Sequence, residues 1–129
     1  MQTSDVWTYR SQDQIGYDPT SGRDLSGFGV EALDGSIGKI DEATNEAGGS
    51  FIIVDTGPWI FGKKVMLPAG VVQRIDEDDE KVWVNRTKDQ IKSAPEFDDS
   101  MKSDTGYRDK LGTYYGPGGG GYRDWDEPL

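Results

Sequence analysis

The chain has 129 residues, of which 33% are hydrophobic and 29% charged, and its 24 acidic against 14 basic residues leave a net charge of −10. One domain is expected from that length, and the modest apolar share places part of the chain outside a packed core. The sequence has no His and no Cys, which removes imidazole bases, thiol nucleophiles, the zinc sites built on either, disulfides and redox pairs together.

The acidic balance repels phosphate backbones and anionic lipid headgroups, so direct nucleic-acid binding is not expected. Lys63-Lys64 with Arg74, or Lys88 with Lys92, are read as solvated surface. No segment approaches the roughly 20 apolar residues of a membrane span. Met1-Gln2-Thr3-Ser4-Asp5 lacks the basic start and apolar run of a signal peptide, which sets the expectation of a cytoplasmic protein.

Residues 1–26 read as an N-terminal arm, polar except for Trp7, Tyr9, Ile15 and Tyr17 and turned at Asp18-Pro19-Thr20-Ser21-Gly22. The arm's aromatics are expected to dock on the chain's own core. From Gly27, Phe28 and Val30 lead into Asp34-Gly35, a strong turn dipeptide. The next strand runs from about Ser36 to Ala43, where Ile37 and Ile40 lie three apart. A bulge at Gly38 would bring both to the interior.

Phe51-Ile52-Ile53-Val54 is the most apolar strand, and both of its faces require cover. Lys64 to Leu67, Val71 to Ile75 and Lys81 to Val84 follow as a β-meander. The acidic run Asp76 to Glu80 lacks the glycine and distant glutamate of an EF-hand loop and reads as a solvated hairpin tip. Thr87-Lys88-Asp89-Gln90 fits a capping box that starts a short helix, with Ile91 and Ala94 against the barrel and Pro95 ending it.

Residues 96–129 form an acidic, Gly- and Tyr-rich tail. In it Gly106-Tyr107-Arg108-Asp109 is echoed by Gly121-Tyr122-Arg123-Asp124-Trp125. Stacked Arg and aromatic groups suit a protein surface, and a biased composition also repeats such a tetrapeptide by chance.

The order Asp34 to Ile40, Phe51 to Val54, Val65 to Pro68, Val82 to Val84 and Lys88 to Pro95 resembles the PRC-barrel family. That domain is known from the photosynthetic reaction centre H subunit and from a ribosome-maturation factor. The resemblance covers residues 27–95. It implies an all-β fold: a small PRC-type β-barrel with one short C-terminal helical turn and extended N- and C-terminal arms. The Gly57 to Lys64 loop and the Tyr-Arg-Asp tail look like those of bacterial stand-alone members of uncertain function. For function the resemblance implies an adaptor or assembly module without an active site to carry over.

The expected function is therefore a non-enzymatic protein-interaction module with no cofactor and no metal. Its partner-binding candidates are Trp59, Ile60 and Phe61 in the Gly57 to Gly62 loop, and Tyr107, Arg108, Tyr122, Arg123 and Trp125 in the tail. A lid over the barrel mouth is the competing role for Trp59 and Phe61. Self-association through the same loop gives a homodimer. An accessory barrel in ribosome or RNA maturation is the alternative reading. A carboxylate enzyme pairing Asp34 with Asp55 is the least favoured.

Overall fold

The computed structural model describes residues 6–45, 49–57, 63–116 and 118–123. Six strands, β1 (Gly29–Ala32), β2 (Gly35–Ala43), β3 (Phe51–Asp55), β4 (Lys64–Pro68), β5 (Val72–Asp76) and β6 (Lys81–Val84), form one sheet in the order β4-β3-β2-β1-β6-β5. Neighbours are antiparallel except β1 and β6, which run parallel with Val30 opposite Val82. Three helices accompany them: α1 (Gln12–Ile15), α2 (Lys88–Lys92) and α3 (Thr105–Tyr115).

The sheet curls because its two outer strands are consecutive in sequence. β4 ends at Pro68 and β5 begins at Val72, joined by the 3-10 turn Ala69–Val71. Four residue steps reach about 14 Å at most, whereas a flat six-stranded sheet is about 24 Å across. The edges therefore approach each other and the sheet becomes an all-β barrel with an unladdered seam between β4 and β5. The meander expected over the last three strands exists only as the β5–β6 hairpin, since β4 and β5 lie on opposite edges.

Bulges shape β2 as its spacing requires. Pairing slips between Val30–Gly38 and Glu31–Ser36, leaving Ile37 out of register, and both Ile37 and Ile40 are buried. Gly38 holds φ at +145°, and a Cβ there would collide with the Asp55 carbonyl, so close backbone approach reserves this position for glycine. The β1–β2 turn is Leu33-Asp34, one residue earlier than the dipeptide suggests. This frees the Asp34 carboxylate to accept the Lys88 amide at 2.8 Å, anchoring α2. The capping box itself forms, with Gln90 N donating to Thr87 Oγ1 at 3.2 Å and Thr87 N to Gln90 Oε1 at 2.9 Å.

Both flanks pack on the barrel. On the N-terminal side Ile15, Tyr17 and Leu25 enter the core, Gly70 N donates to Val6 O at 2.7 Å and Ser50 N to Trp7 O at 2.8 Å. On the C-terminal side the extended arm expected over residues 96–129 contains α3. Its Tyr107, Leu111 and Tyr115 follow one another four residues apart and are buried. Asp104 starts α3 by accepting Gly106 N at 2.8 Å and Tyr107 N at 3.3 Å. The two flanks also lock each other. The Arg108 guanidinium lies 5.0 Å from the Trp7 ring centroid and 5.2 Å from that of Phe51, and Gly112 leaves room for the Trp7 indole that a Cβ would crowd at 2.7 Å.

This docking sets the alkaline limit of the fold. Burial pushes the phenols of Tyr9, Tyr107 and Tyr115 well above their ordinary value, while in the unfolded chain they ionise at about 10. The folded state then holds more protons above that pH, so their contribution is complete below it and is lost progressively as pH rises from there toward the raised folded values. Burial lowers the Arg86 guanidinium to about 10, which opposes the loss with one group against three. Urea midpoints are expected to fall as pH rises above about 10, with tyrosinate absorbance from these rings appearing only as the chain unfolds.

Candidate docking cleft

The open β4 edge, α2 and the segment that follows it enclose a cleft of about 170 Å³. Val65 and Met66 of β4 form one wall, Ile91, Ala94, Pro95 and Phe97 the other, and Tyr115 at the end of α3 also lines it. The local sequence explains the shape. The capping box directs Ile91 inward, and Pro95 then takes the chain out of helix so that Phe97 returns toward the barrel, 5.9 Å from the Tyr107 ring. Tyr107 Oη donates to the Pro95 carbonyl at 3.1 Å and Tyr114 Oη to the Gln90 carbonyl at 2.6 Å, so α3 holds the wall from behind.

Lys63, Lys64, Lys92 and Glu96 rim the cleft. Lys63 Nζ meets Glu96 Oε1 at 3.0 Å, an ion pair that links the two walls, and Lys64 Nζ meets Asp41 Oδ2 at 3.0 Å. The first pair is half or more exposed on both sides, and such pairs contribute only about 0–1 kcal/mol, so an occupant can displace it. An apolar cavity of about 150 Å³ holds one benzene ring, so this volume suits a single large apolar side chain rather than a cofactor.

Behind Tyr115 lies a polar layer that sequence reasoning did not anticipate. Arg86 is 3% exposed. Its Nη1 donates to the Asn85 carbonyl at 2.6 Å, its Nη2 to the Tyr115 carbonyl at 3.1 Å, and its guanidinium lies 5.7 Å from the Tyr115 ring centroid. It thus places positive charge at the negative C-terminal end of α3. Among the described residues the Tyr115 hydroxyl has no hydrogen-bond partner, and burial keeps it a neutral phenol.

The residues proposed from sequence fall in three places. Trp59, Ile60, Phe61 and Trp125 lie outside the described residues. Tyr107 and Arg108 are engaged within the chain, the first buried in the core and the second between Trp7 and Phe51 with its Nη2 donating to the Gly49 carbonyl at 2.7 Å. Tyr122 is 41% exposed, its carbonyl accepting Gln90 Nε2 at 3.4 Å, and Arg123 beside it is half-buried. The carboxylates of Asp34 and Asp55 each take a backbone amide, from Lys88 and from Gly57 at 3.0 Å. Asp76 Oδ1 likewise accepts Asp78 N and Asp79 N at the acidic hairpin tip, and no metal-binding cluster occurs among the described residues. Among them, no helix is long and apolar enough to cross a membrane. The cleft itself was missed, although Pro95 and Phe97 following Ile91 were a usable signal for it.

No family model matches the chain, and no curated protein matches it. Among solved structures, a putative 16S ribosomal RNA processing protein RimM from Pseudomonas aeruginosa is similar at a TM-score of 0.44 and 18% identity. That likeness covers 62% of this chain and 50% of the other. The chain thus spans about half the length of that protein, and the identity is too low to carry any residue's role across.

Replacing Arg86 with Ala leaves two buried carbonyls unsatisfied and removes the cation at the end of α3. A loss of about 2–4 kcal/mol in urea unfolding is expected. Arg86→Met, which keeps the apolar stem, is expected to lose less.

Proposed function

We propose that this chain is a non-enzymatic docking module on a PRC-type barrel. It takes one large apolar side chain of a partner protein, flanked by acidic residues, into the cleft between β4 and the Ile91–Phe97 segment. The observation that carries this reading is an apolar cleft sized for a single side chain and rimmed by three lysines and one glutamate, of which Lys63 and Lys64 hold surface ion pairs with Glu96 and Asp41, on a chain of net charge −10. The apolar wall provides affinity by burial, and the rim selects sign and steers approach.

The non-enzymatic part rests on chemistry. The sequence offers neither imidazole nor thiol, and the one carboxylate pair considered for acid–base work is engaged by backbone amides. The PRC-type assignment is supported by the placement of the motifs that carry the resemblance. Asp34 to Ile40 covers the end of the first turn and most of β2, Phe51 to Val54 lies in β3, Val65 to Pro68 in β4, Val82 to Val84 in β6, and the Lys88 to Pro95 stretch opens with α2, which ends at Lys92.

Peptide display against the intact chain tests the reading. Selected peptides are expected to combine Trp, Phe or Leu with neighbouring Asp or Glu. Ala94→Arg, which fills the cleft from a half-buried position, is expected to weaken them at least tenfold without changing the melting temperature. Lys92→Glu is expected to weaken them less, and more at low salt than at high. Equal binding to intact and Ala94→Arg chains would overturn the cleft as the site. Ribosomal sequences among the selected peptides would direct the module to ribosome assembly.

A further inference from the structure

The described chain ends at Arg123, next to Tyr122, whose carbonyl is hydrogen-bonded to α2. Gln90, whose side chain holds the Tyr122 carbonyl, immediately precedes Ile91 of the cleft wall. Tyr115, which lines the same cleft, lies beside Arg86. The next residues in sequence are Asp124-Trp125-Asp126-Glu127-Pro128-Leu129. These have the composition that the cleft selects, a large aromatic flanked by three carboxylates. Six residues reach about 20 Å when extended, whereas the five residues of α2 span only about 8 Å.

We propose that the resident occupant of the cleft is this segment of the same chain, with Trp125 in the apolar pocket and Asp124, Asp126 and Glu127 facing the Lys63, Lys64 and Lys92 rim. The inference rests on the docking reading of the cleft and deepens it. A tethered segment competes at an effective concentration that short linkers raise to the millimolar range. A partner must therefore exceed that competition, and the module is held closed until a tighter segment arrives. The fit is charge-complementary in a molecule whose overall charge disfavours acidic ligands elsewhere on its surface.

The test uses the full-length chain in two forms, intact and with Trp125→Gly, Asp126→Ser and Glu127→Ser together, observed by carbon-13 methyl NMR of Met66 and Ile91. The expected result is that these methyl signals differ between the two forms. Free peptide Asp-Trp-Asp-Glu-Pro-Leu should return the variant's signals toward the intact positions and bind the intact chain at least tenfold more weakly. Identical methyl signals in the two forms, or equal binding of the free peptide to both, would overturn the proposal. If the free peptide binds neither form while displayed peptides still bind in an Ala94-sensitive way, the tail proposal fails and the docking reading stands. If no peptide of either kind perturbs Met66 or Ile91, both fail.

Discussion

Everything in this molecule follows from the burial of β3 on both faces. Phe51, Ile52, Ile53 and Val54 are each at most 3% exposed, and alternate residues of a strand point to opposite sides. Curling the sheet covers one side. The other side, which carries Phe51 and through register shares Met66 opposite Ile53, has to be covered by chain from outside the barrel. The N-terminal segment and α3 supply that cover, meeting where Arg108 lies between Trp7 and Phe51. With about 0.8 kcal/mol available per buried methylene, leaving such a face wet would remove much of the stability of a domain this small.

The same requirement builds the cleft. α3 reaches β4 and holds the Ile91–Phe97 segment through the Tyr107 and Tyr114 hydroxyls. That segment stands off the open edge of β4 and leaves a space one side chain wide. Unpaired strand edges invite association and are commonly blunted by charge. Here lysines at the edge and on α2 do this, with Lys63 and Lys64 held in surface ion pairs to Glu96 and Asp41. A docking site at this position is a by-product of covering the barrel, later tuned by its rim.

How much of this was legible in sequence depended on the range of the interaction that decides each element. The bulged β2, the two-sided β3, the capping box at Thr87 and the charged tip at Asp76 are written in neighbouring residues, and each appears where its spacing placed it. The seam between β4 and β5 was not legible, because three residues between strands normally signal a hairpin. Only the whole strand order shows that the chain there steps between opposite edges. The helix α3 was missed for a related reason. Gly106 and Gly112 each cost about 1 kcal/mol of helix propensity, and 11 residues are marginal alone. Asp104 as cap and the Tyr107, Leu111, Tyr115 stripe were present as signals, but the Gly and Tyr composition masked them. Gly112, unfavourable for the helix, is what admits Trp7. In the same way the paired Tyr-Arg-Asp motifs look alike in sequence and diverge in structure. Tyr107 is buried while Tyr122 is exposed, because only the first sits in a helix, one that packs on β4.

Amide hydrogen exchange on the intact chain tests most directly whether the flanks complete the fold and thereby build the cleft. The account predicts that amides of Tyr107 to Tyr115 exchange in one cooperative unit with those of Phe51 to Val54, at the free energy of global unfolding. Exchange of the α3 amides at the rate of an unprotected tail, with β3 still protected, would contradict it, because the outer face of β3 would then stay covered without the helix.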